Sequence, residues 1–162
     1  MTDSLLSHRP ATDADLDQVV SFVRNADELF YAFPRAHWPL TRAQLAAACA
    51  ERRGSTLALL DRRAAGFANF YQSEPGQYCA LGNLMIAPWA RGQGVAQYLV
   101  GVMEQLARRD FAAQELRVSC FNDNAAGLLL YARLGYRLTG LVERQRGQAR
   151  VALVEFVKPL QS

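Results

Sequence analysis

The sequence predicts an α/β (α+β) fold with a mixed, mostly antiparallel central sheet of about seven strands and helices on both faces. Three observations lead to this prediction. The middle of the chain holds three β-like runs separated by short turns, as in an antiparallel meander. After Gly94 the apolar pattern changes to the period of an amphipathic helix. Beyond that helix, strand-like and helical segments alternate, which favours a mixed sheet. The predicted order is β-α-α-β-β-β-α-β-α-β-β.

The N-terminal segment predicts a short strand followed by a helix. The strand runs from Leu5 to His8 and stops at Pro10, where the chain loses a backbone donor. Thr12 or Asp13 can cap the helix that follows. Four apolar residues at helical spacing then predict its buried stripe: Leu16, Val19, Val20 and Val23.

The next stretch, residues 27–40, is rich in aromatic residues and contains two prolines, which predicts irregular structure. Thr41 and Gln44 form a capping-box pattern ahead of a helix at residues 45–53. Gly54 is predicted to close that helix, because glycine readily adopts the left-handed conformation found after helix C-termini.

The meander consists of strand-like runs at residues 55–61, 65–72 and 77–87. The first two runs are separated by residues 62–64, which predicts a hairpin. The helix that begins after Gly94 has an apolar stripe at helical spacing, formed by Val95, Leu99, Val102 and Leu106 with Tyr98 and Met103 beside it.

The C-terminal part predicts a strand at residues 115–121, a short helix at 124–135, and a closing pair of strands at 136–145 and 148–158. No internal repeat, low-complexity tract or linker interrupts the pattern. Residues 1–162 are therefore predicted to form one domain, a length that can bury a sizeable core.

The composition is that of an ordinary soluble protein, with 51% apolar and 20% charged residues. A net charge of +3 without a long basic block does not suggest nucleic acid as a partner. The apolar runs are too short to cross a membrane, and the N-terminus lacks a signal pattern, so a cytoplasmic location is predicted. Three widely spaced cysteines favour neither a disulfide framework nor a metal site.

The segment Arg-Gly-Gln-Gly-Val-Ala-Gln at residues 91–97 lies where a strand is followed directly by a helix. A helix N-terminus carries unpaired N–H groups and a partial positive charge, so it can bind an anion. Arg91 adds a cation. A plain tight turn is the alternative. The Gly-Lys-Ser/Thr of a triphosphate loop and the third glycine of the dinucleotide fingerprint are both missing.

This segment resembles the acetyl-CoA loop of the GNAT acetyltransferases, whose Arg/Gln-x-x-Gly-x-Gly/Ala motif is matched at Arg91, Gly94 and Ala96. The strand end at residues 84–88 also resembles the pattern that precedes this loop in the family. The opening residues 8–19 resemble the family's first strand and helix. The resemblance thus spans nearly the whole chain.

A second stretch, residues 124–136, resembles another family motif through Asn124, Tyr131, Gly135 and Tyr136. The resemblance implies that Tyr131 is the general acid, or a hydrogen-bond donor, for the departing thiolate. Asn124 lies seven residues earlier, about 10 Å away along the same helix face. It would contact the pantetheine arm, cap the helix, or do both.

The resemblance also implies how acetyl-CoA, the acetyl donor, would bind. The fourth and fifth strands splay apart, and the pantetheine pairs with backbone groups near Leu84, Met85 and Ile86, in the manner of an added strand. The pyrophosphate would rest on the glycine turn and the first turn of the helix. The residues predicted to form that part of the site are Arg91, Gly92, Gln93, Gly94, Val95, Ala96 and Gln97.

The general base is where the chain departs from the family. The strand at residues 77–87 has no carboxylate, and the fifth-strand position that carries one in N-terminal acetylases is Ser119. The sequence therefore disfavours a ribosomal-protein or N-terminal peptide acetylase. A water chain, a partly deprotonated amine or His37 are the open alternatives. Cys120 lies mid-strand without a partner base, so a core thiol is preferred to an acyl-enzyme.

The irregular stretch is expected to determine acceptor specificity, because in the fold it resembles it lies over the acetyl end. Asp27 and Glu28 would attract a cationic amine. An alternative is that the aromatic residues only complete the core. The candidate substrate-binding residues are Phe30, Tyr31, Phe33, His37 and Trp38.

The predicted function is direct N-acetylation of a primary amine on a small molecule or an exposed side chain, without a metal ion. A homodimer is kept open as an alternative to a monomer. Two rival functions remain: a catalytically silent module that binds acyl-CoA and regulates a partner, and a nucleotide-binding protein in which the glycine turn is coincidental.

Overall fold

The computed structural model describes residues 4–160. Within them, one sheet is formed by seven strands: β1 Leu6–Pro10, β2 Arg53–Leu60, β3 Arg63–Glu74, β4 Tyr78–Ile86, β5 Glu115–Phe121, β6 Arg137–Arg146 and β7 Ala149–Pro159. They lie in the order β1-β2-β3-β4-β5-β7-β6. Neighbouring strands are antiparallel, except that β4 and β5 are parallel. The predicted mixed, mostly antiparallel sheet is confirmed.

The helices of the described part are α1 Leu16–Val19, α2 Ala26–Ala32, α3 Arg42–Glu51, α4 Val95–Phe111 and α5 Ala125–Arg133. None of the helices within residues 4–160 combines the length and the apolar character needed to cross a bilayer. The longest helix, α4, lies across β1 to β4. Its predicted stripe is buried at Val95, Leu99, Val102 and Met103.

The first predicted helix is only partly α-helical. Short 3₁₀ turns at Asp13–Asp15 and Val20–Phe22 flank α1. Thr12 lies at the predicted N-cap, where its main-chain N–H donates to the Asp15 carboxylate at 2.7 Å. The β-branched Val19 and Val20 lower helix propensity, which fits the tightening of the last turn at Val20–Phe22.

The prediction of irregular structure throughout residues 27–40 was wrong, because α2 occupies the first part of that stretch. Asn25 caps α2 by accepting a hydrogen bond from the main chain of Glu28 at 2.9 Å. Acidic residues in the first turn add favourable interactions with the helix dipole. The structure becomes irregular after Phe33.

The prediction that Gly54 closes α3 was wrong. That helix ends at Glu51, and Gly54 lies inside β2 with φ +70°. The pairing of β2 with β3 skips one residue between Arg53 and Thr56, so Gly54 lies in a β-bulge. The hairpin between β2 and β3 is confirmed, and its turn consists of Asp61 and Arg62, both with positive φ.

Candidate active site

The sheet opens between its two parallel strands. β4 and β5 pair at three positions, from Tyr78 with Glu115 to Ala80 with Arg117, and no further pairing follows along the described strands. The predicted splay of the fourth and fifth strands is thereby confirmed. A cleft of about 1750 Å³ occupies the opening, with Leu84 on one wall and Ser119 on the other.

A β-bulge bends the β4 wall of this cleft. Between the pairs Phe67–Met85 and Asn69–Gly82, β4 has one residue more than β3. Asn83 lies in the bulge with φ +50°, and such an extra residue disrupts the ladder and turns the strand locally. Leu84, Met85 and Ile86, the predicted pantetheine contacts, all line the cleft.

The glycine turn presents main-chain N–H groups without acceptors. Gly92 and Gly94 have φ +75° and +83°, and the first hydrogen bond of α4 runs from Tyr98 N to Gly94 O at 3.0 Å. For residues 92–97 no acceptor of these amides occurs among the described residues. A Cβ added at either glycine would touch no protein atom. Glycine is therefore needed at these positions for the positive φ of the backbone, and not because neighbouring protein atoms would exclude a Cβ.

Arg91, which was predicted to add a cation to this turn, lines the cleft and is paired with a carboxylate. Its guanidinium donates twice to Glu28, at 2.8 and 3.1 Å, and also to the carbonyls of Phe22 and Ile86. The charge is thus matched by a carboxylate. Arg91 fastens α2 to the end of β4, and the Ile86 carbonyl is already occupied on that side.

Of the other predicted turn residues, most line the cleft. Gly92, Gly94, Val95, Ala96 and Gln97 do so, whereas the side chain of Gln93 turns back to donate to the Trp89 carbonyl at 3.0 Å. The Val95 side chain is part of the core. What the segment offers to an anion is therefore mainly its main chain.

Tyr131 lies on α5 with its ring packed against Tyr136 and Phe156, at centroid distances of 5.7 and 6.0 Å. Its hydroxyl makes no hydrogen bond to the described residues, yet no buried polar side-chain atom among them is unsatisfied. The hydroxyl therefore reaches open space in the cleft that Tyr131 lines. Burial raises the pKa of Tyr131 well above its ordinary value, so the group remains a proton donor.

Asn124 caps α5, as predicted, by accepting a hydrogen bond from the main chain of Gly127 at 3.1 Å. Cys120 lies beside the same turn, with Sγ at 3.7 Å from the carbonyls of Phe121 and Asn124. Burial, with a smaller contribution from Asp123, raises the pKa of the Cys120 thiol to about 11. A thiol that stays protonated is a poor nucleophile.

The cleft holds few candidates for a general base. Glu28 lines it, but the bonds from Arg91, followed by those from Arg24, lower the pKa of Glu28 to about 2. Such a carboxylate is a weak base. His37 also lines the cleft, and Gln44 holds its main chain through bonds of 2.7 and 3.1 Å. Ser119 is half-buried on β5.

The candidate acceptor residues are brought together, with one exception. Phe30, Tyr31, Phe33 and His37 line the cleft, whereas Trp38 does not and is 46% exposed. Trp38 therefore does not belong to the cleft wall, because the segment after α2 turns its side chain towards solvent. The ring centroids of Phe30 and Phe121 of β5 lie 4.3 Å apart, so α2 contacts β5 at the cleft.

A buried polar chain beside the bulge was missed from the sequence. Arg52 donates to Asn69 at 3.2 Å, Asn69 to Asn83 at 3.0 Å, and Asn83 to the carbonyl of Ala32 at 3.1 Å. It ties α2 to the bulge of β4. The available signal was an asparagine inside each of two apolar strands, since a buried amide needs a partner.

The sequence matches the acetyltransferase (GNAT) family over residues 21–136. A comparison with curated proteins gives no match. Among the described residues, no group of three or more His, Cys, Asp or Glu is arranged to hold a metal ion.

Similar solved structures include a GCN5-related N-acetyltransferase from Kribbella flavida, with 26% identity, a TM-score of 0.75, and coverage of 96% of this chain and 98% of the other. A Salmonella typhimurium acetyltransferase that modifies the N-terminal serine of a 50S ribosomal subunit protein has 19% identity, a TM-score of 0.79, and coverage of 96% and 95%.

A third structure, of yncA from Salmonella typhimurium, contains acetyl-CoA and has 18% identity, a TM-score of 0.73, and coverage of 96% and 94%. Each of the three shares the architecture described above. With a family match over well more than half of its length and the opened parallel strands between β4 and β5, this chain belongs to the GNAT family of acetyltransferases.

Proposed function

We propose that this chain transfers the acetyl group of acetyl-CoA directly to a primary amine of a small molecule or an exposed side chain. The observation that carries the proposal is the opening between β4 and β5, where pairing ends at Ala80. The unbonded amides of residues 92–97 and the unbonded hydroxyl of Tyr131 border the same cleft. A cytoplasmic location, as predicted from the sequence, is part of the proposal.

The residues of the cleft fit acetyl-CoA. A diphosphate needs several N–H donors, and the amides of residues 92–97 are such donors. A pantetheine arm needs main-chain partners, which Leu84 and Met85 would offer beyond the part of β4 that pairs with β5. Asn124 would border the arm from α5. When bound, acetyl-CoA would supply an acetyl group activated as a thioester.

The transfer forms a bond from the amine nitrogen to the carbonyl carbon and breaks the carbon–sulfur bond. One proton must leave the nitrogen and one must reach the departing sulfur. Tyr131 is the proposed donor to sulfur, because its raised pKa keeps the hydroxyl protonated, and it would regain its proton from water after the transfer. The nitrogen proton would pass to water, since Glu28 is held by two arginines. Transfer without an acyl-enzyme is supported by the protonated state of Cys120.

One observation favours a second candidate, a silent module that binds acyl-CoA and regulates a partner. The carboxylate of Glu28 is neutralised, which leaves the exposed Glu51 as the other carboxylate among the residues that line the cleft in the described part of the chain. The unbonded Tyr131 hydroxyl counts against this candidate, because a binding module does not need an acid there.

Release of free thiol from acetyl-CoA, measured with and without a panel of primary amines, separates the two functions. An acetyltransferase releases thiol in proportion to added amine and yields an acetylated amine of the expected mass. A silent module binds CoA in calorimetry and releases no thiol with any amine. CoA that does not bind at all would refute both.

A further inference from the structure

Arg52, directly after α3, has a half-buried side chain that lines the cleft. It takes part in no ion pair among the described residues. Removing a guanidinium from water without a counter-ion is unfavourable, so its retention in a cleft wall calls for a reason. Burial, followed by the nearby charge of Arg35, lowers the pKa of Arg52 below its ordinary value.

The surroundings of Arg52 hold the guanidinium in place but leave most of its donors unused. Its Cζ lies over the rings of Phe33 and Tyr71, at 5.3 and 6.0 Å from their centroids. One nitrogen, Nη1, donates to Asn69 at 3.2 Å. A guanidinium has five N–H groups. No fully buried polar side-chain atom in residues 4–160 lacks a hydrogen-bond partner. The other nitrogens of Arg52, which make no hydrogen bond to the described residues, are therefore accessible from the cleft that Arg52 lines.

Gly82 of β4 makes room for this guanidinium. A Cβ at that position would lie 2.8 Å from Arg52 Nη1, 3.1 Å from the ring of Tyr71 and 3.3 Å from Asn69 Oδ1. A glycine in a strand often marks the close approach of another group. The seat of Arg52 is therefore formed by Phe33, which follows α2, together with β3 and β4.

The acidic residues predicted to attract an amine are already matched. Glu28 is bound by Arg24 and Arg91, and Asp27 is paired with Arg146. These ion pairs count against the expectation that Asp27 and Glu28 attract a cationic amine.

Among the cleft-lining residues from Phe22 to Arg52, two arginines without a carboxylate partner in residues 4–160 remain, Arg52 and the exposed Arg35, against one exposed carboxylate, Glu51. Glu51 is not within ion-pair distance of Arg52. The balance at this end of the cleft is positive, and it favours an anionic group on the ligand.

We propose that the acceptor is a small molecule carrying both the amine and a carboxylate, and that Arg52, assisted by Arg35, binds the carboxylate. The proposal rests on the proposed acetyltransferase function and specifies its substrate class. A planar guanidinium matches a carboxylate with two parallel hydrogen bonds. The half-buried seat limits screening by salt, so the pair discriminates more strongly than one on the surface.

The test compares matched acceptors: amino acids with their methyl esters and with the amines that lack the carboxyl group. Rates are compared at equal concentrations of neutral amine, so that differences in amine pKa between the acceptors do not affect the comparison. For the wild-type protein, kcat/KM should be roughly 10- to 100-fold higher for the carboxylate form. Arg52→Gln should abolish most of this preference, while Arg52→Lys retains part of it. Arg108→Gln, a charge-matched control on an exposed position outside the cleft, should keep it.

Two further measurements keep the outcomes distinct. Melting temperature and CoA affinity show whether Arg52→Gln is folded. If that variant does not fold, Arg35→Gln, at an exposed position, serves as the test and should reduce the preference for the carboxylate severalfold. Equal rates for acids and esters in the wild-type protein would overturn the carboxylate proposal and leave the acetyltransferase proposal standing. If no amine is acetylated, equilibrium dialysis of the acids and esters against the CoA complex tests carboxylate binding without turnover. Retention of the acid that depends on Arg52 supports the proposal, and any other result contradicts it.

Discussion

The carboxylate of Glu28 and the guanidinium of Arg91, 63 residues apart, form an ion pair through two hydrogen bonds of 2.8 and 3.1 Å. Arg24 donates to the same carboxylate from its side chain and main chain. Arg91 also binds the carbonyls of Phe22 and Ile86. Helix α2, which carries Phe30 and Tyr31, is thus fastened to the strand end that precedes the glycine turn.

Replacing Glu28 by Gln should loosen this attachment. The change leaves the charges of Arg24 and Arg91 unmatched, and we expect a loss of about 1–3 kcal/mol in the free energy of unfolding, measured by urea denaturation. The KM for the acceptor should rise severalfold, because α2 carries Phe30 and Tyr31. The KM for acetyl-CoA should change less, since the amides of residues 92–97 remain.

The same pair predicts a loss of stability in acid. The pKa of Glu28 falls from 4.5 to about 2 in the folded state, chiefly through Arg91. Its contribution is therefore complete above the unfolded value and is lost as pH falls from about 4.5 towards 2. Asp15, held by Arg9, has a lowered pKa as well. Glu28→Gln and Asp15→Asn should each remove a share of the acid-induced loss, and an unchanged pH profile for Glu28→Gln would contradict the role of the pair.

Much of the fold could be predicted because its signals are local. The stripe of α4 follows from residues three and four apart, and β5 was predicted with its observed bounds, Glu115–Phe121. The helix end predicted at Gly54 was wrong because glycines with positive φ occur in β-bulges as well as after helices. The helix α2 was hidden by the prolines downstream, although its cap, Asn25, was visible in the sequence.

The site was less predictable because its charges are matched over long sequence distances. Nothing near Arg91 in the sequence indicates that Glu28 neutralises it, and nothing near Arg52 indicates that it stands over Phe33 and Tyr71. Sequence motifs report main-chain geometry and local capping. The balance of charge in a cleft depends on which elements the sheet brings together. The ion pairs that hold Asp27, Glu28 and Arg91 could therefore not be predicted from the sequence.

Replacing Gly94 by Ala should weaken CoA binding through the backbone. Its φ of +83° is costly for a residue with a Cβ, by roughly 1–2 kcal/mol, so the turn that presents the amides should relax. Gly101→Ala is the matched control, since Gly101 lies within α4 and a Cβ there would meet nothing. It should raise stability by up to about 1 kcal/mol and leave CoA affinity unchanged. Calorimetric titration of CoA into both variants checks this, and equal affinities would refute the placement of the pyrophosphate.

Replacing Cys120 by Ala should leave turnover within about threefold of the wild-type rate, because the thiol is buried and its pKa is raised to about 11. Removing Sγ from its place beside Gly127 leaves a small void, so stability should fall by about 1 kcal/mol. Single-turnover assays with mass spectrometry of the protein measure both rate and acylation. An acetylated Cys120, or loss of activity in a folded variant, would restore the acyl-enzyme route.

Replacing Tyr131 by Phe should lower kcat by roughly 100-fold, the scale of a lost general acid, with little change in acetyl-CoA affinity. The ring packing against Tyr136 and Phe156 is kept, so stability should hold. Tyr136→Phe is the matched control: it removes a buried hydroxyl that donates to Glu104 at 2.7 Å, away from the cleft, and should cost stability but not kcat. Because burial raises the pKa of Tyr131, the wild-type rate should show no loss from its ionisation up to about pH 10. If Tyr131→Phe and Tyr136→Phe have the same kcat, the proton for the departing thiolate comes from elsewhere.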